Sequence, residues 1–304
     1  MERVVIVGAG NVGSCVAQTV ALRGLADEAV LVDKRPARAR AEAADLMCAL
    51  PRLGSRCVVR AGAYEDCADA GTVVVCAAAP ARLGQTRNDM FLKNAAIVRD
   101  VAAAAEGAGF AGLYLVVSNP VDLLARLLTA ELGIAPERVA GTGTLLDTLR
   151  LEDCLRARPG AQGGAEARAL ALGEHGEGLV VAWERTTVGG EPVPEADREP
   201  SRRAAIEAAY DIMKGKGSTS HGIALAASEA LAARRARDGR VLPLSVAADG
   251  AYGIEGMTLS LPVSFDDGGW PRVAPVELAP ETAGALRAVA ERMRAVEAEL
   301  SDRG

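Results

Sequence analysis

The sequence predicts an α/β protein built on a doubly wound parallel sheet, and three observations support this prediction. An apolar run at residues 4–7 leads directly into the glycine-rich string GAGNVG at residues 8–13. A second apolar run, residues 29–32, ends in Asp33, twenty residues after Gly13. Apolar runs and helical patterns then alternate as far as residue 117, which is typical of a parallel sheet covered by helices on both faces.

The first half of the chain divides into strands and helices in strict order. The strand at residues 4–7 ends at the glycine turn, which starts the first helix. The predicted helices cover about 11–24, 36–50 and 88–107, and the further strands cover about 29–33, 57–60, 72–77 and 113–117. Residues 78–86 contain a proline and a glycine and follow the carboxyl end of a strand, where open α/β sheets bind ligands. We expect this segment to act as a lid.

The pattern changes near residue 142, although no linker rich in proline or serine marks the change. We therefore predict a dinucleotide-binding domain over residues 1–142 and an α+β catalytic domain over residues 143–304. The elements predicted in the second domain are a helix at 144–157, strands near 167–173 and 178–188, a helical region at 201–233 broken at 215–217, strands at 241–248 and 256–264, and a helix from about 280.

The glycine string has a specific use. Three glycines at this spacing allow a tight turn from strand to helix and a close approach to a pyrophosphate, which the N-terminus of the helix attracts. Asp33 is placed to bind the hydroxyls of an adenosine ribose, and its charge would repel a 2′-phosphate. This combination is typical of a Rossmann domain that prefers NAD to NADP, although Lys34, Arg35 and Arg38 could accept a phosphate. The alternative is a tight turn that binds nothing, followed by an incidental Asp.

Composition narrows the class of protein. The net charge of −6 and the pI near 5.2 argue against a nucleic-acid-binding surface. Half of the residues are hydrophobic, yet no run of about 18 is free of charge, so no membrane span is predicted. The first residues enter a strand almost at once, so we expect no signal peptide. The six cysteines form no CxxC pair, and we expect reduced thiols in a cytoplasmic protein.

One of the two histidines is placed for chemistry. His175 lies in GEHG, residues 173–176, after an apolar strand, and the flanking glycines leave room for a ligand. An imidazole exchanges a proton near neutral pH, as reversible alcohol–ketone chemistry requires. A histidine taken alone is more often structural, and we assign no role to His221, which lies among small residues in a helical pattern.

Four other polar residues are candidates on the same grounds. Asp147 and Arg150 are three residues apart in LDTLR, so they share one helix face and could both face one cleft. A carboxylate such as Asp147 can fix the tautomer of an imidazole, and a guanidinium such as Arg150 can bind a substrate carboxylate. Arg87 ends the predicted lid, and Asn119 lies in SNPVD after an apolar strand. The structural alternatives are a surface ion pair for Asp147 and Arg150, a solvated charge for Arg87, and a cap of the following helix for Asn119.

Taken together and in this order, GAGNVG with Asp33, the lid ending in Thr86-Arg87, SNPVD, LDTLR and GEHG resemble the NAD-dependent L-lactate/malate dehydrogenase family. The resemblance covers nearly the whole chain. It includes GAYEDC at 62–67, Lys93-Asn94, GKGST at 215–219 and DGAYGI at 249–254.

The resemblance implies reduction of a 2-oxo acid to an L-2-hydroxy acid with NADH. In it His175 is the acid/base, Asp147 orients and stabilises the imidazole, and Arg87 polarises the carbonyl when the lid closes. The implied substrate-binding residues are Arg150, Asn119, Thr219, Ala81 and Arg82. The implied cofactor-binding residues are Gly8, Gly10, Asn11, Val12, Gly13, Asp33, Arg38, Tyr64, Ala77, Ala78, Val117, Asn119 and Ile223. No metal is implied.

The chain departs from the family pattern in the lid. Lactate-specific members usually carry Gln six residues before the lid arginine and malate-specific members carry Arg, whereas this chain has Ala81. The alanine leaves volume for a 2-oxo acid bulkier than pyruvate. Arg82 follows at once, so a shift of one residue would give a malate dehydrogenase-like charge, which is the alternative. Ala78 stands where the family usually has glycine.

The chain also differs from some family members at two positions linked to regulation. Members activated by fructose 1,6-bisphosphate have an arginine and a histidine where this chain has Glu152 and Arg168. An anionic side chain would repel the bisphosphate, so we do not expect that activation. The family forms dimers or tetramers, and the sequence does not choose between them.

Two remote alternatives belong to other functional classes. NAD-dependent glycosidases share a similar cofactor fold, but they are longer and hold a metal with Cys and His. No cysteine lies within a few residues of either histidine here. A catalytically inactive NAD-binding module is the other alternative, and it is disfavoured because all four ionic catalytic positions are occupied.

Overall fold

Six parallel strands form the first half of the protein's main sheet. The structure, a computed structural model, describes residues 2–80, 87–158 and 165–301. The six strands are β1 (Arg3–Val7), β2 (Glu28–Val32), β3 (Val58–Ala61), β4 (Thr72–Val75), β5 (Leu113–Val116) and β6 (Val139–Gly141). They lie in the order β3-β2-β1-β4-β5-β6, and β1 pairs in parallel with β2 and β4. This order places a topological switch point, and with it a ligand-binding crevice, at the carboxyl ends of β1 and β4. The predicted doubly wound sheet is confirmed.

Helices cover both faces of this sheet. The helices are α1 (Asn11–Leu22), α2 (Pro36–Ala49), α3 (Arg87–Gly107), α4 (Val121–Ala130), α5 (Leu145–Ala157), α6 (Glu195–Lys216), α7 (His221–Ala236) and α8 (Pro280–Ser301). Alternate side chains of a strand point to opposite faces. Accordingly Val4 and Ile6 lie in one buried apolar cluster, and Val5 and Val7 lie in the other. The strands are almost wholly apolar because both faces are buried.

The sheet continues beyond residue 142 as antiparallel strands. The additional strands are β7 (Ala167–Arg168), β8 (Ala171–Gly173), β9 (Leu179–Val181), β10 (Thr187–Val188), β11 (Glu191–Pro192), β12 (Leu242–Ala247), β13 (Thr258–Phe265) and β14 (Pro271–Val273). The main sheet runs on from β6 through β12, β13, β8 and β9, and β14 pairs with β13. The junction is the pairing of Ser245 on β12 with Gly141 on β6. A small sheet of β11, β10 and β7 lies apart.

Three details differ from the sequence predictions. The strand predicted at 178–188 is interrupted by a 3-10 turn at Trp183–Arg185, after which β10 joins the small sheet instead. The helix predicted from residue 201 begins at Glu195, because Pro194 caps it, Glu195 and Asp197 favour its first turn, and Pro200 is accommodated within it. The helix α4 was mentioned only as the helix that Asn119 could cap, without bounds, and the strand β6 was not predicted.

The sequence of α4 does carry a helical signal. Asp122, Arg126 and Thr129 recur at spacings of four and three residues among apolar residues, so they form one polar stripe, and the bounds of this helix were predictable. The strand β6 has only three residues, too few for an alternating pattern. Within the described parts of the chain, no helix is both long and apolar enough to cross a membrane.

Candidate active site

The glycines of residues 8–13 allow backbone segments to approach more closely than any side chain would permit. Gly8 has φ of +102°, and a Cβ atom there would lie 2.7 Å from the backbone nitrogen of Ala77. A Cβ atom at Gly13 would lie 1.8 Å from the carbonyl oxygen of Gly8. At Gly10, by contrast, a Cβ atom would have no described atom within 4 Å. The turn is therefore packed tightly against the sheet beneath it and open above.

The open side of the turn fits a diphosphate. Gly10 is the N-cap of α1, and no side chain of the described residues caps this helix. The first N–H groups of a helix have no intrahelical partners, and with the helix dipole they attract anions. A pyrophosphate can therefore approach the backbone here, so the residues present meet the needs of the central part of NAD.

Asp33 lies beside the same turn, directly after β2. Its Oδ2 accepts the N–H of Ala9 at 2.9 Å, and its Oδ1 accepts the N–H of Arg35 at 2.9 Å. Burial raises the pKa of the Tyr64 hydroxyl, and the negative charge of Asp33 contributes to that rise. Arg38 lies 3.8 Å from Glu42 on its own helix. The carboxylate is thus fixed at the carboxyl edge of the sheet, in the position expected of a ribose ligand.

A buried amide organises the crevice between β4 and β5. Asn94 on α3 is 2% exposed. Its Oδ1 accepts the N–H of Ala79 at 2.8 Å, and its Nδ2 donates to the carbonyl oxygen of Asn119 at 2.7 Å. The hydroxyl of Ser118 donates to the carbonyl oxygen of Ala77 at 2.8 Å. Of the four predicted residues at these two strand ends, Ala77 and Asn119 accept these hydrogen bonds, and Ala78 and Val117 are direct chain neighbours of residues that make them.

The junction between α6 and α7 closes the other side of the glycine turn. The side-chain amide of Asn11 lies 3.4 Å from the hydroxyl oxygen of Ser218, next to Thr219. Ile223 and Val12 both pack against the apolar cluster that contains Val117. Three predicted cofactor contacts therefore share one apolar cluster: Val12 on α1, Val117 directly after β5, and Ile223 on α7.

The histidine, aspartate and arginine singled out in the sequence lie together. Nδ1 of His175 is 2.6 Å from Oδ2 of Asp147, so the ring nitrogen carries the proton and donates it to the carboxylate. The other oxygen of Asp147 lies 3.8 Å from Nη1 of Arg150. The side chain of Asp147 is 2% exposed, whereas that of His175 is 25% exposed. The imidazole thus has one nitrogen fixed in the interior while the ring remains accessible.

Hydroxyl groups fix the helix that carries Asp147 to the strand that precedes His175. Oγ1 of Thr144 donates to the carbonyl oxygen of Ala171 at 2.6 Å, and Oγ1 of Thr148 accepts the N–H of Ala171 at 3.2 Å. The backbone N–H of Thr144 donates to the hydroxyl of Ser260 at 2.9 Å. All of these contacts are buried; the two threonine hydroxyls join the start of α5 to β8, and the Ser260 contact joins it to β13.

Two buried ionisable residues flank the pair of His175 and Asp147: Arg150 lies beside Asp147, and Asp122 contacts the backbone of His175. Burial lowers the pKa of Arg150, and the charge of Asp147 opposes that shift; the guanidinium remains protonated. Burial raises the pKa of Asp122 to about 6, against the hydrogen bonds from Ser245 and from the backbone of His175. Sequence reasoning quoted Asp122 within SNPVD but gave it no role. The sequence signal for a buried polar contact was Ser245, a serine inside the otherwise apolar strand β12.

Other predicted residues lie outside this frame or outside the described residues. Ala81 and Arg82 are not among the described residues, and the side chain of Arg87 is not described either. Glu152 accepts the N–H of Ala169 at 3.1 Å, and Arg168 pairs with Glu166 at 3.1 Å. Over residues 2–80, 87–158 and 165–301, no group of three or more His, Cys, Asp or Glu is placed to hold a metal ion. The six cysteines are free thiols.

Comparison with known proteins identifies one family over nearly the whole chain. The family model described as lactate/malate dehydrogenase, NAD binding domain, matches residues 2–141, and that of the alpha/beta C-terminal domain matches residues 144–301. L-lactate dehydrogenase of Staphylococcus epidermidis is 35% identical over 277 residues, 88% of this chain and 87% of the relative.

Solved structures also share the fold. Minor L-lactate dehydrogenase from Enterococcus mundtii, in its ligands-bound form, superposes with a TM-score of 0.90 at 33% identity and covers 97% of both chains. Malate dehydrogenase from Salinibacter ruber superposes with a TM-score of 0.89 at 27% identity, covering 99% of this chain and 98% of that one. The chain therefore belongs to the lactate/malate dehydrogenase family, and it is an NAD-dependent 2-hydroxy acid dehydrogenase.

Proposed function

We propose that the protein reduces a 2-oxo acid to an L-2-hydroxy acid, with His175, Asp147 and Arg87 as the catalytic residues and Arg150 as the ligand of the substrate carboxylate. The observation that carries this proposal is the 2.6 Å contact between His175 and Asp147, with Arg150 one helical turn from the aspartate. A proton donor and a carboxylate-binding cation therefore lie on either side of one aspartate, which supports their action on one substrate. Arg150 would bind the carboxylate of a 2-oxo acid, and His175 would supply the proton that accompanies the hydride from NADH.

Substrate binding begins at Arg150. Its planar guanidinium can form two parallel hydrogen bonds with a carboxylate, which fixes the orientation of the substrate as well as its position. Among the described residues, Asp147 is the carboxylate whose charge raises the pKa of Arg150. Its Oδ1 lies 3.8 Å from Nη1 of Arg150, which is too far for a hydrogen bond to the guanidinium N–H groups. The guanidinium therefore keeps donors for the substrate.

The proton comes from His175. Because Nδ1 donates to Asp147, Nε2 is the nitrogen left to hold a proton towards the carbonyl oxygen. Proton transfer from Nε2 completes the hydroxyl group as the carbonyl π bond breaks, and Asp147 stabilises the imidazole while it is charged. In the reverse direction His175 accepts the proton from the alcohol.

The remaining residues bind the cofactor or polarise the carbonyl. NAD, when bound in reduced form, supplies the hydride that the carbonyl carbon receives. Residues 8–13 and Asp33 would hold its diphosphate and adenosine ribose, and Ile223 would contact its nicotinamide end. Asn119 binds near the reacting oxygen, and Arg87 stabilises the negative charge that develops there when the lid closes. Thr219 borders the substrate side chain.

Ala81 favours a substrate bulkier than pyruvate. A small apolar side chain at the specificity position leaves volume and offers no polar partner, so a second carboxylate would be buried without compensation. The competing substrate is oxaloacetate, if Arg82 turns inward to pair with that carboxylate; the similarity to a malate dehydrogenase structure keeps this candidate open.

The test is NADH oxidation by the purified protein across a panel of 2-oxo acids: pyruvate, 2-oxobutyrate, branched and aromatic 2-oxo acids, and oxaloacetate. We expect kcat/KM for at least one acid larger than pyruvate to equal or exceed that for pyruvate. A strong preference for oxaloacetate that Arg82→Ala removes would support malate dehydrogenase activity. Binding of NADH without turnover of any 2-oxo acid would overturn the proposal.

A further inference from the structure

Beyond the residues assigned to the reaction, we propose that Asp122 is a positioning residue that holds the backbone of His175 and, through it, the imidazole. The proposal rests on the acid/base role proposed for His175. Asp122 itself is 3% exposed and contacts the backbone N–H of His175, whereas Asp147 contacts the ring, so Asp122 acts through the histidine and not on the substrate.

Both oxygens of the Asp122 carboxylate are used. Oδ2 accepts the backbone N–H of His175 at 3.0 Å. Oδ1 accepts the hydroxyl of Ser245, which is fully buried on β12. One carboxylate thus joins the start of α4, the middle of β12 and the loop that carries the histidine.

The backbone around Asp122 is shaped for this contact. Asp122 is the second residue of α4, where a helix N-terminus favours a negative charge. A Cβ atom at Gly141 would lie 2.8 Å from Cγ2 of Val121 and 2.9 Å from Cβ of Ser245. The glycine therefore allows α4 and β12 to approach closely enough for Asp122 to reach Ser245.

The histidine lies in a glycine-rich connection between β8 and β9, whose own backbone bonds join Glu174 to Gly178 and Leu179 to Gly176 but do not include the His175 N–H. Gly173 and Gly176, on either side of His175, have φ of +87° and +98°. Glycines lose more conformational freedom on folding than other residues. With the ring held by Asp147 and the backbone N–H held by Asp122, His175 is fixed at two atoms by two carboxylates from different elements.

Charge adds a second effect. The titratable groups that act on Asp122 are His175, which favours its ionised form, and Glu174, which opposes it; the contact from β12 is the uncharged Ser245. Burial outweighs these contributions and raises the pKa of Asp122 to about 6. Above that pH Asp122 is anionic, and by reciprocity it favours the protonated imidazole that the reduction requires.

The test variant is Asp122→Asn, whose amide oxygen can still accept one N–H while the charge is lost. Because folding raises the pKa of Asp122 from 3.8 to about 6, the folded protein favours the neutral carboxyl group. The stability that this group contributes is fully present below pH 3.8 and is lost as the pH rises through about 6. The neutral amide should therefore leave the protein folded at about pH 8. The matched control is Glu152→Gln, which changes a half-buried carboxylate that accepts a backbone N–H from Ala169 instead of from His175.

We expect Asp122→Asn to lower kcat/KM for the 2-oxo acid by roughly tenfold or more and to move the alkaline limb of the pH profile to lower pH. The dissociation constant of NADH should change by less than about threefold, and Glu152→Gln should leave the profile unmoved. An unchanged profile in folded Asp122→Asn, or an equal loss in Glu152→Gln, would overturn the proposal.

A measurement on the unaltered protein tests the contact without relying on activity. Because the chain has two histidines, selective ¹⁵N-histidine labelling gives two backbone amide signals, and His221→Gln identifies that of His175. The His175 amide proton should titrate with a midpoint near pH 6, following Asp122, and this step should be absent in Asp122→Asn. The same titration in both proteins would overturn the proposal, whereas inactivity of the unaltered protein on every 2-oxo acid would refute the proposed function alone.

Discussion

Asp147 and His175 lie 28 residues apart in sequence, on α5 and in the loop after β8, yet Oδ2 of Asp147 is 2.6 Å from Nδ1 of His175. Thr144 and Thr148 explain this proximity, because both contact the backbone of Ala171, four residues before the histidine. The aspartate is buried and the imidazole is partly exposed. The contact therefore fixes one nitrogen of a partly exposed imidazole.

Asp147→Asn should lower kcat/KM for 2-oxo acid reduction by roughly a hundredfold or more, because the imidazole loses both its orientation and the charge that favours its protonated form. The alkaline limb of the pH–rate profile should move to lower pH, since the proton is then lost more readily. Asp153→Asn on the exposed face of the same helix is the control. A profile that stays in place would show that Asp147 does not act on the histidine.

Arg150 and Arg87 should fail in different ways. Arg150→Gln removes a carboxylate ligand used in the ground state and the transition state, so KM should rise steeply, by about two orders of magnitude for a lost charge-assisted pair. Arg87→Gln removes stabilisation of developing charge, so kcat should fall more than binding. Arg156→Gln, an exposed change on α5, is the control. Equal increases in KM with unchanged kcat would contradict this division.

Asp33 should decide the choice between NADH and NADPH. Its carboxylate is fixed at the carboxyl end of β2 by the N–H groups of Ala9 and Arg35. Asp33→Ser should raise KM for NADH by about tenfold or more through the lost ribose hydrogen bonds, and should improve the use of NADPH by removing the repulsion. Asp27→Ser, at the other end of the same strand, should change neither. Unaltered cofactor preference in Asp33→Ser would remove Asp33 from the ribose site.

The parallel sheet, the glycine turn and the residues after the strands were predictable from sequence because each has a strong local signal. The apolar runs of β1 and β4 are almost continuous, and the glycines of residues 8–13 meet a steric need that the structure confirms at Gly8 and Gly13. The pairing of Asp147 with Arg150 was also predictable, since i,i+3 residues share a helix face.

The contacts that span distant segments were not predictable from local patterns. Asp122 reaches His175 over 53 residues and Ser245 over 123 residues, and no local period encodes either contact. Asn94 was noted only as part of a motif, although it fixes the backbone at Ala79 and Asn119. Such buried polar bridges depend on the tertiary fold, so they become visible only when the elements are packed.

Ala81 should control substrate size. Ala81→Gln should shift the preference towards pyruvate by filling volume, and Ala81→Arg should favour oxaloacetate by supplying a partner for its second carboxylate, each by about tenfold or more in the ratio of kcat/KM values. The matched variant is Arg82→Ala. If oxaloacetate is the preferred substrate and Arg82→Ala abolishes the preference, the specificity position is Arg82 and the prediction for Ala81 is wrong.

The most direct test of the account is the effect of His175→Gln on kcat/KM for the best 2-oxo acid, measured together with the dissociation constant of NADH and with His221→Gln as the control. If His175 supplies the proton, kcat/KM should fall by at least roughly a hundredfold while NADH binding changes by less than about threefold. Retention of more than about a tenth of the activity would contradict the assignment of His175 as the acid/base.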